Sequence, residues 1–468
     1  MTATRRPDER LSPPRSLVRS RPSSAPIGPV VNRLAWIILV LVLLALLSSV
    51  VSAGTSPVAL ATASLALCGA CWLLVLSAYA WNYLAAPFIY LALLTVFHFG
   101  LIWTWGLGGQ AVVLRLSGSV SQWLAVPDLY WAAYLSGMWI AVFAVAASFM
   151  GVPERAAQDA RDPVPGKDRL TPSAGLVLEI VGLGTFLTAF LSAGGLTLIG
   201  GGYGLFLENA QSATTTYGFW AMSLGFNLSQ LGNRRTRRIG IIVFAVFAAV
   251  AFPLGMRGTV LFTLICALVA RRLRGLHTPA LPLGLGAAAF AVLSSMVRVT
   301  RDGGATGGRW FSGLSETVAE MGFSIKPVLV ILGYRELGGE DTNFVSLVAV
   351  PMRLLESLLG TATVGSDLRL FNVKIMSLSG PIGGSPVAEG LDALGAIGVI
   401  LMALAVAVLI AVPYRRAVTG RLSPAYFLAV FSPVLATVRN SMAPLLVQIA
   451  LGFVVVWLSR RLAADDPD

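Results

Sequence analysis

Leu34-Ala35-Trp36-Ile37-Ile38-Leu39-Val40-Leu41-Val42-Leu43-Leu44-Ala45-Leu46-Leu47-Ser48-Ser49-Val50-Val51 runs for eighteen residues without a charge. Wound as a helix it would be apolar all round, with no face left for water. Its length approaches the roughly 20 residues that carry a helix across a bilayer. The same texture recurs outward from it, at 59–80, 84–106, 131–150, 174–196, 213–230, 239–254, 258–270, 279–297, 391–412, 423–437 and 442–459. The reading is therefore an all-α polytopic membrane protein with about twelve transmembrane helices. The stretch 239–270 is its weakest part and reads either as two short helices or as a re-entrant hairpin around Gly255-Met256-Arg257-Gly258.

Composition agrees with lipid as the main solvent. Of 468 residues, 56% are hydrophobic and 12% charged, where soluble chains carry about 25% charge. Mean hydropathy is +0.78. A soluble enzyme is excluded, and so is disorder away from the ends. Cys68, Cys71 and Cys266 all sit inside apolar runs. They read as small packing residues, with no disulfide framework and no metal site.

The net charge of +12 is concentrated in short turns, which is how orientation is encoded in a membrane. We therefore expect no nucleic-acid partner. With the amino terminus inside and the chain alternating, 23 of the 34 Lys/Arg fall on the inner side, and eight of the other eleven lie in one long segment, 298–390. Both termini are thus expected in the cytoplasm. The division is a basic tail at 1–33, nine spans over 34–297, an extracytoplasmic loop domain at 298–390, three spans over 391–459, and a tail at 460–468. Ser52, Ala53 and Gly54 faintly resemble a cleavage site, but the long tail before them favours an uncleaved anchor.

Isolated charges beside apolar runs are the candidate chemistry. Arg257 lies between two such runs, where a cation is expensive unless it meets an anion or a wet cavity. Its planar fork suits phosphate. Arg439, in Val438-Arg439-Asn440-Ser441, occupies a similar turn. Snorkelling to headgroups is the plain alternative for both. Glu316 and Glu320 are four apart and share a face if helical, as solvated helices also commonly show. Lys326, Arg335, Arg353 and Glu356 add charge to the same segment, the last two in i,i+3 spacing. Leu378 to Gly390 is glycine-rich but lacks the Gly-Lys-Ser/Thr end of a P-loop. Glu389 there also suits a helix start. Tyr203 and Glu208 fall in an external turn without a specific signal. His98 lies within the third span and His277 in an inner turn, so no external histidine base is expected.

Four of these stretches together resemble the Wzy-type oligosaccharide repeat-unit polymerases of bacterial surface polysaccharides. They are Gly255-Met256-Arg257-Gly258, Ala319-Glu320-Met321-Gly322-Phe323-Ser324 with Pro327, Gly384-Ser385-Pro386-Val387-Ala388-Glu389 leading to Leu394-Gly395-Ala396-Ile397-Gly398, and Val438-Arg439-Asn440-Ser441. They span roughly 238–460, while the first half resembles the family only as a chain of spans. The resemblance implies a metal-independent glycosyltransferase of the bacterial inner membrane, without cofactor. It would join undecaprenyl-diphosphate-linked repeat units at the outer face. Arg257, Glu320 and Arg439 would be catalytic, and Lys326, Arg353, Ser385 and Glu389 would bind substrate. Partners would be the lipid-linked oligosaccharide, membrane lipid, and a chain-length regulator or flippase. O-antigen ligases of similar architecture use a histidine in the large loop, and none is present here. The roles of Asp392 and Ala393 stay open. The rival reading is a transporter or flippase for a lipid-linked glycan, which would not lengthen its product. A membrane scaffold is a third, and it would tolerate loss of both Arg257 and Glu320.

Overall fold

The computed structural model describes residues 28–54, 56–109, 127–152, 170–198, 213–276, 279–301, 313–359, 367–380 and 382–464. Most of the basic tail, Tyr203, Glu208 and His277 lie outside these residues. The described chain is helical throughout. Four long helices open it: α1 (Gly28–Ser52), α2 (Pro57–Ala78), α3 (Ala86–Gly106) and α4 (Asp128–Phe149). They bury a dry core in which Trp139 and Phe143 stack at 5.3 Å and Tyr90 stacks on Phe143 at 5.4 Å. The large side chains exposed on α1, such as Leu34, Ile38, Leu41 and Val42, are the lipid-facing side of an all-apolar helix.

Next come α5 (Leu170–Ser192), α6 (Ala213–Ser229), α7 (Arg234–Ala251), α8 (Arg257–Leu273) and α9 (Ala280–Arg301). Two short helices, α10 (Leu314–Met321) and α11 (Lys326–Glu336), flank a 3-10 turn at Gly322–Ile325. They are followed by α12 (Val345–Leu358), α13 (Phe371–Ser379), α14 (Pro386–Val418), α15 (Pro424–Ala436) and α16 (Leu445–Ala464).

Eight helical stretches among the described residues are long and apolar enough to cross a membrane, so the expected count of twelve is not reproduced. Seven coincide with expected spans, and the eighth, Leu314–Glu336, falls in the segment expected to be external. Of the other five expected spans, α9 keeps an apolar stretch at Leu283–Ser294, α7 begins with four arginines in its first five residues, α6 is described over 17 residues, and α8 and α15 have 17 and 13. At 1.5 Å per residue α8 and α15 reach only about 20–25 Å, against a hydrocarbon thickness of about 30 Å.

The bundle has two unlike ends. Arg33, Arg272 and Arg415 gather around the Tyr79–Tyr414 ring pair. Arg274 Nη1 donates to Gln230 O (3.0 Å) and to Gly232 O, tying the end of α8 to the α6–α7 turn. Thr171 meets Ser459 at 3.1 Å, bringing the start of α5 and the end of α16 to this arginine-rich end. The opposite end carries the long segment between α9 and α14, and that segment dips back into the bundle. α10 packs along α3 so closely that a side-chain carbon on Gly322 would sit 2.0 Å from Leu101 N. α14 is broken at Leu394 and Gly395, the latter at φ 61° and ψ −144°, a conformation open to glycine alone. Its first eight residues fold back beside the rest, with Gly390 packed on Gly398.

Candidate functional site

Arg257 starts α8 just after a tight turn closed by bonds from Gly255 N to Phe252 O and from Met256 N to Ala251 O. Its guanidinium does not snorkel. Nη2 donates to Glu320 Oε1 at 2.7 Å, and Nη1 donates to Ser294 O at 2.7 Å and to Glu320 Oε2 at 3.4 Å. Both side chains are largely buried, with 12% and 17% exposed. Glu320 is delivered by α10, whose position is fixed by the Gly322 contact with α3. The sequence gives each charge separately, and the fold joins them. A paired fork of this kind is held in one orientation and largely removed from water.

The third and fourth stretches are joined in the same way. Gly384 N donates to Arg439 O at 3.0 Å. Glu389 accepts from Met442 N at 2.6 Å and from Ser346 Oγ at 3.1 Å. Glu389 therefore clamps the Arg439 turn and α12 to the start of α14. Arg439 itself is exposed. Ser385 caps α14 by accepting from Val387 N at 3.2 Å, as helix starts favour.

His98 adds a connection that sequence reasoning missed. Its Nε2 lies 2.7 Å from Ser385 Oγ, and its Nδ1 lies 3.0 Å from Leu94 O. A carbonyl can only accept, so Nδ1 carries the proton and Nε2 receives that of Ser385. The sequence leads us to expect no external histidine base, yet α3 reaches the third stretch through this ring. The available signal was an ionisable residue inside an apolar run.

Asp392 and Lys374 form a second buried link, at 2.6 Å, with the Lys374 ammonium 4.2 Å from the centre of the Tyr334 ring. Thr342 N and Asn343 N donate to Asp392 O and Ala393 O at 3.0 and 3.1 Å, and Arg335 Nη1 donates to Leu391 O at 3.1 Å. These bonds take up the carbonyls freed by the break in α14. Lys326 begins α11 and is half-buried. Arg353 lies exposed on α12, about two turns beyond Ser346. Glu356 gives both oxygens to Arg369, at 2.7 and 2.8 Å, and Asp367 joins at 2.8 Å. Hydrogen bonding from Arg369 holds the carboxyls of Glu356 and Asp367 below their ordinary range, and they in turn raise the guanidinium.

Between the two joined pairs lies a cavity of about 280 Å³. Met256 and Thr259, flanking Arg257, line one side, and Gly383, Gly384, Asn440 and Ser441 line another. Deeper in, Thr263 Oγ1 donates to Ser223 Oγ at 2.8 Å, Ser223 meets Ser432 at 3.3 Å, and Asn227 Nδ2 donates to Ser432 Oγ at 3.3 Å. The helices α6, α8 and α15 are among the walls. α8 and α15 are short, and the cavity lies beside the start of α8 and the end of α15. Single hydroxyls in apolar runs gave no warning of it, since they commonly bond their own helix.

A family model described as O-antigen polysaccharide polymerase Wzy matches residues 34–465. The match takes in the amino-terminal half, where the motifs had shown only a chain of spans. No curated protein and no solved structure matches the chain.

Proposed function

Because the chain belongs to the O-antigen polysaccharide polymerase Wzy family, a multi-pass enzyme of the inner membrane that polymerises lipid-linked oligosaccharide repeat units, we propose that the Arg257 end of its bundle is where that transfer takes place. The donor is a glycan on undecaprenyl diphosphate. An acceptor hydroxyl oxygen attacks the anomeric carbon, the bond from that carbon to the diphosphate oxygen breaks, and the diphosphate leaves with the electron pair. Arg257 and Arg439 stabilise the charge that develops there. Glu320 keeps the Arg257 fork aimed and receives the acceptor proton once the diphosphate engages the guanidinium. Glu389 and Ser385 hold the Arg439 turn in register. Lys326 and Arg353 extend the basic surface toward the incoming substrate.

We infer further that both termini lie in the cytoplasm and that the chain crosses twelve times, with α6, α8 and α15 completing short crossings around the cavity. The arginine-rich end supports this orientation, since basic residues favour the cytoplasmic side. A chain-length regulator or a flippase would approach from the same membrane.

The observation that carries the assignment is the Arg257–Glu320 pair at 2.7 Å, next to a cavity whose wall includes Met256 and Thr259. The test is elongation of a purified lipid-linked repeat unit without nucleotide sugar. Arg257→Ala should lower the rate by about 10²–10³-fold, the usual cost of removing a donor to a developing anion, while membrane insertion stays normal. Full-length polymer from that variant would refute the assignment.

A further inference from the structure

We propose that the cavity between the two joined pairs is a saccharide subsite, holding sugar rings of the repeat unit below the level of the diphosphate. This deepens the reading above and rests on it. Three parts of the substrate compete for this space, and each needs a different wall. A diphosphate needs cations or free N–H groups. A polyprenyl tail needs an apolar groove, because every hydroxyl it covers loses water without replacement. A sugar needs neutral donors and acceptors together with a flat apolar face.

The wall answers the third need best, because its apolar and ring surface is interrupted throughout by neutral polar groups. Eleven of the twenty-one lining residues carry a hydroxyl or an amide, and none of the lining residues described carries a charge. Thr215, Ser432, Thr437 and Ser441 are buried, and so are Thr263 and Gln448. Trp220 and Phe262 supply ring surface on the same wall. On α6, Thr216, Trp220 and Ser223 recur at helical spacing, and Asn227 continues the row one turn deeper with a bond to Ser432. The hydroxyls bond one another across three helices, so a sugar hydroxyl can replace a neighbour without leaving a polar atom bare. A volume of about 280 Å³ lies near the lower end of the usual range for small-molecule pockets, so only part of a repeat unit is enclosed.

The test uses the full-length purified protein with Thr216→Cys as reporter, since Cys68, Cys71 and Cys266 are buried. The rate of maleimide labelling is followed with two probes. One is the lipid-free oligosaccharide released by mild acid from the cell's own lipid-linked repeat unit, and the other is undecaprenyl diphosphate without sugar. The free oligosaccharide should slow labelling about tenfold at ten times its dissociation constant, and the sugar-free lipid should leave it unchanged. Protection by the lipid alone, or by neither probe, overturns the subsite. Ser432→Leu, which fills the floor, should abolish protection by the oligosaccharide. Protection that survives it overturns the subsite as well. If the unsubstituted protein fails to elongate the lipid-linked substrate, the reading above falls. If it elongates while the free oligosaccharide gives no protection, only the subsite falls.

Discussion

The amino-terminal bundle and the cavity half use the same small polar residues in opposite ways. In α2, α3 and α4, Ser64, Thr95 and Ser148 donate to the carbonyls of Ala61, Ala92 and Val145, each three residues back. The proton of each is absorbed by its own helix, although Ser64 Oγ also accepts from Trp103 Nε1 at 3.1 Å. Around the cavity, Thr263 and Thr437 also reach carbonyls of their own helices, but Ser223, Thr263, Ser432 and Asn227 bond one another across helices. A hydroxyl satisfied locally adds packing, whereas one satisfied by another mobile side chain can exchange partners with a ligand. α3 borders both regions. Tyr90 and Phe99 pack in the dry core, with the Tyr90 hydroxyl 3.3 Å from Thr437 Oγ1 on the cavity wall, while His98, Gly100 and Leu101 face the re-entrant segment.

That division can be broken at its dry side first. Trp139→Ala removes one end of the aromatic stack and should cost about 3–5 kcal/mol of stability, read as a fall in melting temperature in detergent. The surviving folded protein should keep its KM for the lipid-linked substrate. A shifted KM would mean that the dry bundle reaches the substrate after all.

A smaller effect is expected at the border. Gly322→Val must push α10 away from Leu101, and overpacking of this kind costs about 1–3 kcal/mol. The loss should fall on kcat more than on melting temperature, because α10 carries Glu320 and Glu320 carries Arg257. A variant that loses stability and kcat in proportion would show that the border is ordinary packing.

The smallest effect concerns acid and lies away from both regions. Arg369 holds Glu356 and Asp367 below their ordinary range in the folded protein. Depressed carboxyls contribute stability above their unfolded values and lose it as pH falls through the folded ones. The contact between α12 and the residues before α13 should therefore persist through about pH 4, where free carboxyls titrate, and loosen only below it. Arg369→Gln removes the contact itself, so it should leave α12 already loosened above about pH 4 and abolish the acid onset. Protease sensitivity of α12 against pH reads this, and an onset that persists in the variant would remove Arg369 from the account.

The long spans were legible because lipid leaves an unmistakable texture, an apolar run without a polar face. The count was not, because α8 and α15 stop short and the sequence does not say what their missing length is for. Arg257 and Glu320 stood out as isolated charges, but 63 positions separate them in the chain, and no periodicity links them. The i,i+3 spacing of Arg353 and Glu356 suggested a local pair. Arg353 does act on Glu356 electrostatically, but the hydrogen bonds go to Arg369, thirteen residues on, whose planar fork can take both oxygens at once. His98 looked like a residue of the lipid-buried core because nothing local reveals that a loop will descend to meet it. Lys374 escaped notice and Asp392 stayed without a role, because a buried ion pair leaves no mark on either neighbourhood until the chain has folded.

The break at Leu394 and Gly395 divides one continuous stretch of chain into a short splint and a long mast. Any side chain at Gly395 would have to adopt a backbone shape that only glycine tolerates, and would press on the Arg335 guanidinium, 3.1 Å from its first carbon. A substitution there would not touch a sugar or a phosphate. It would unhook the splint from its mooring at Thr342 and Asn343, and with it the turn that presents Arg439, so a single backbone angle governs the alignment of groups supplied by three distant parts of the sequence.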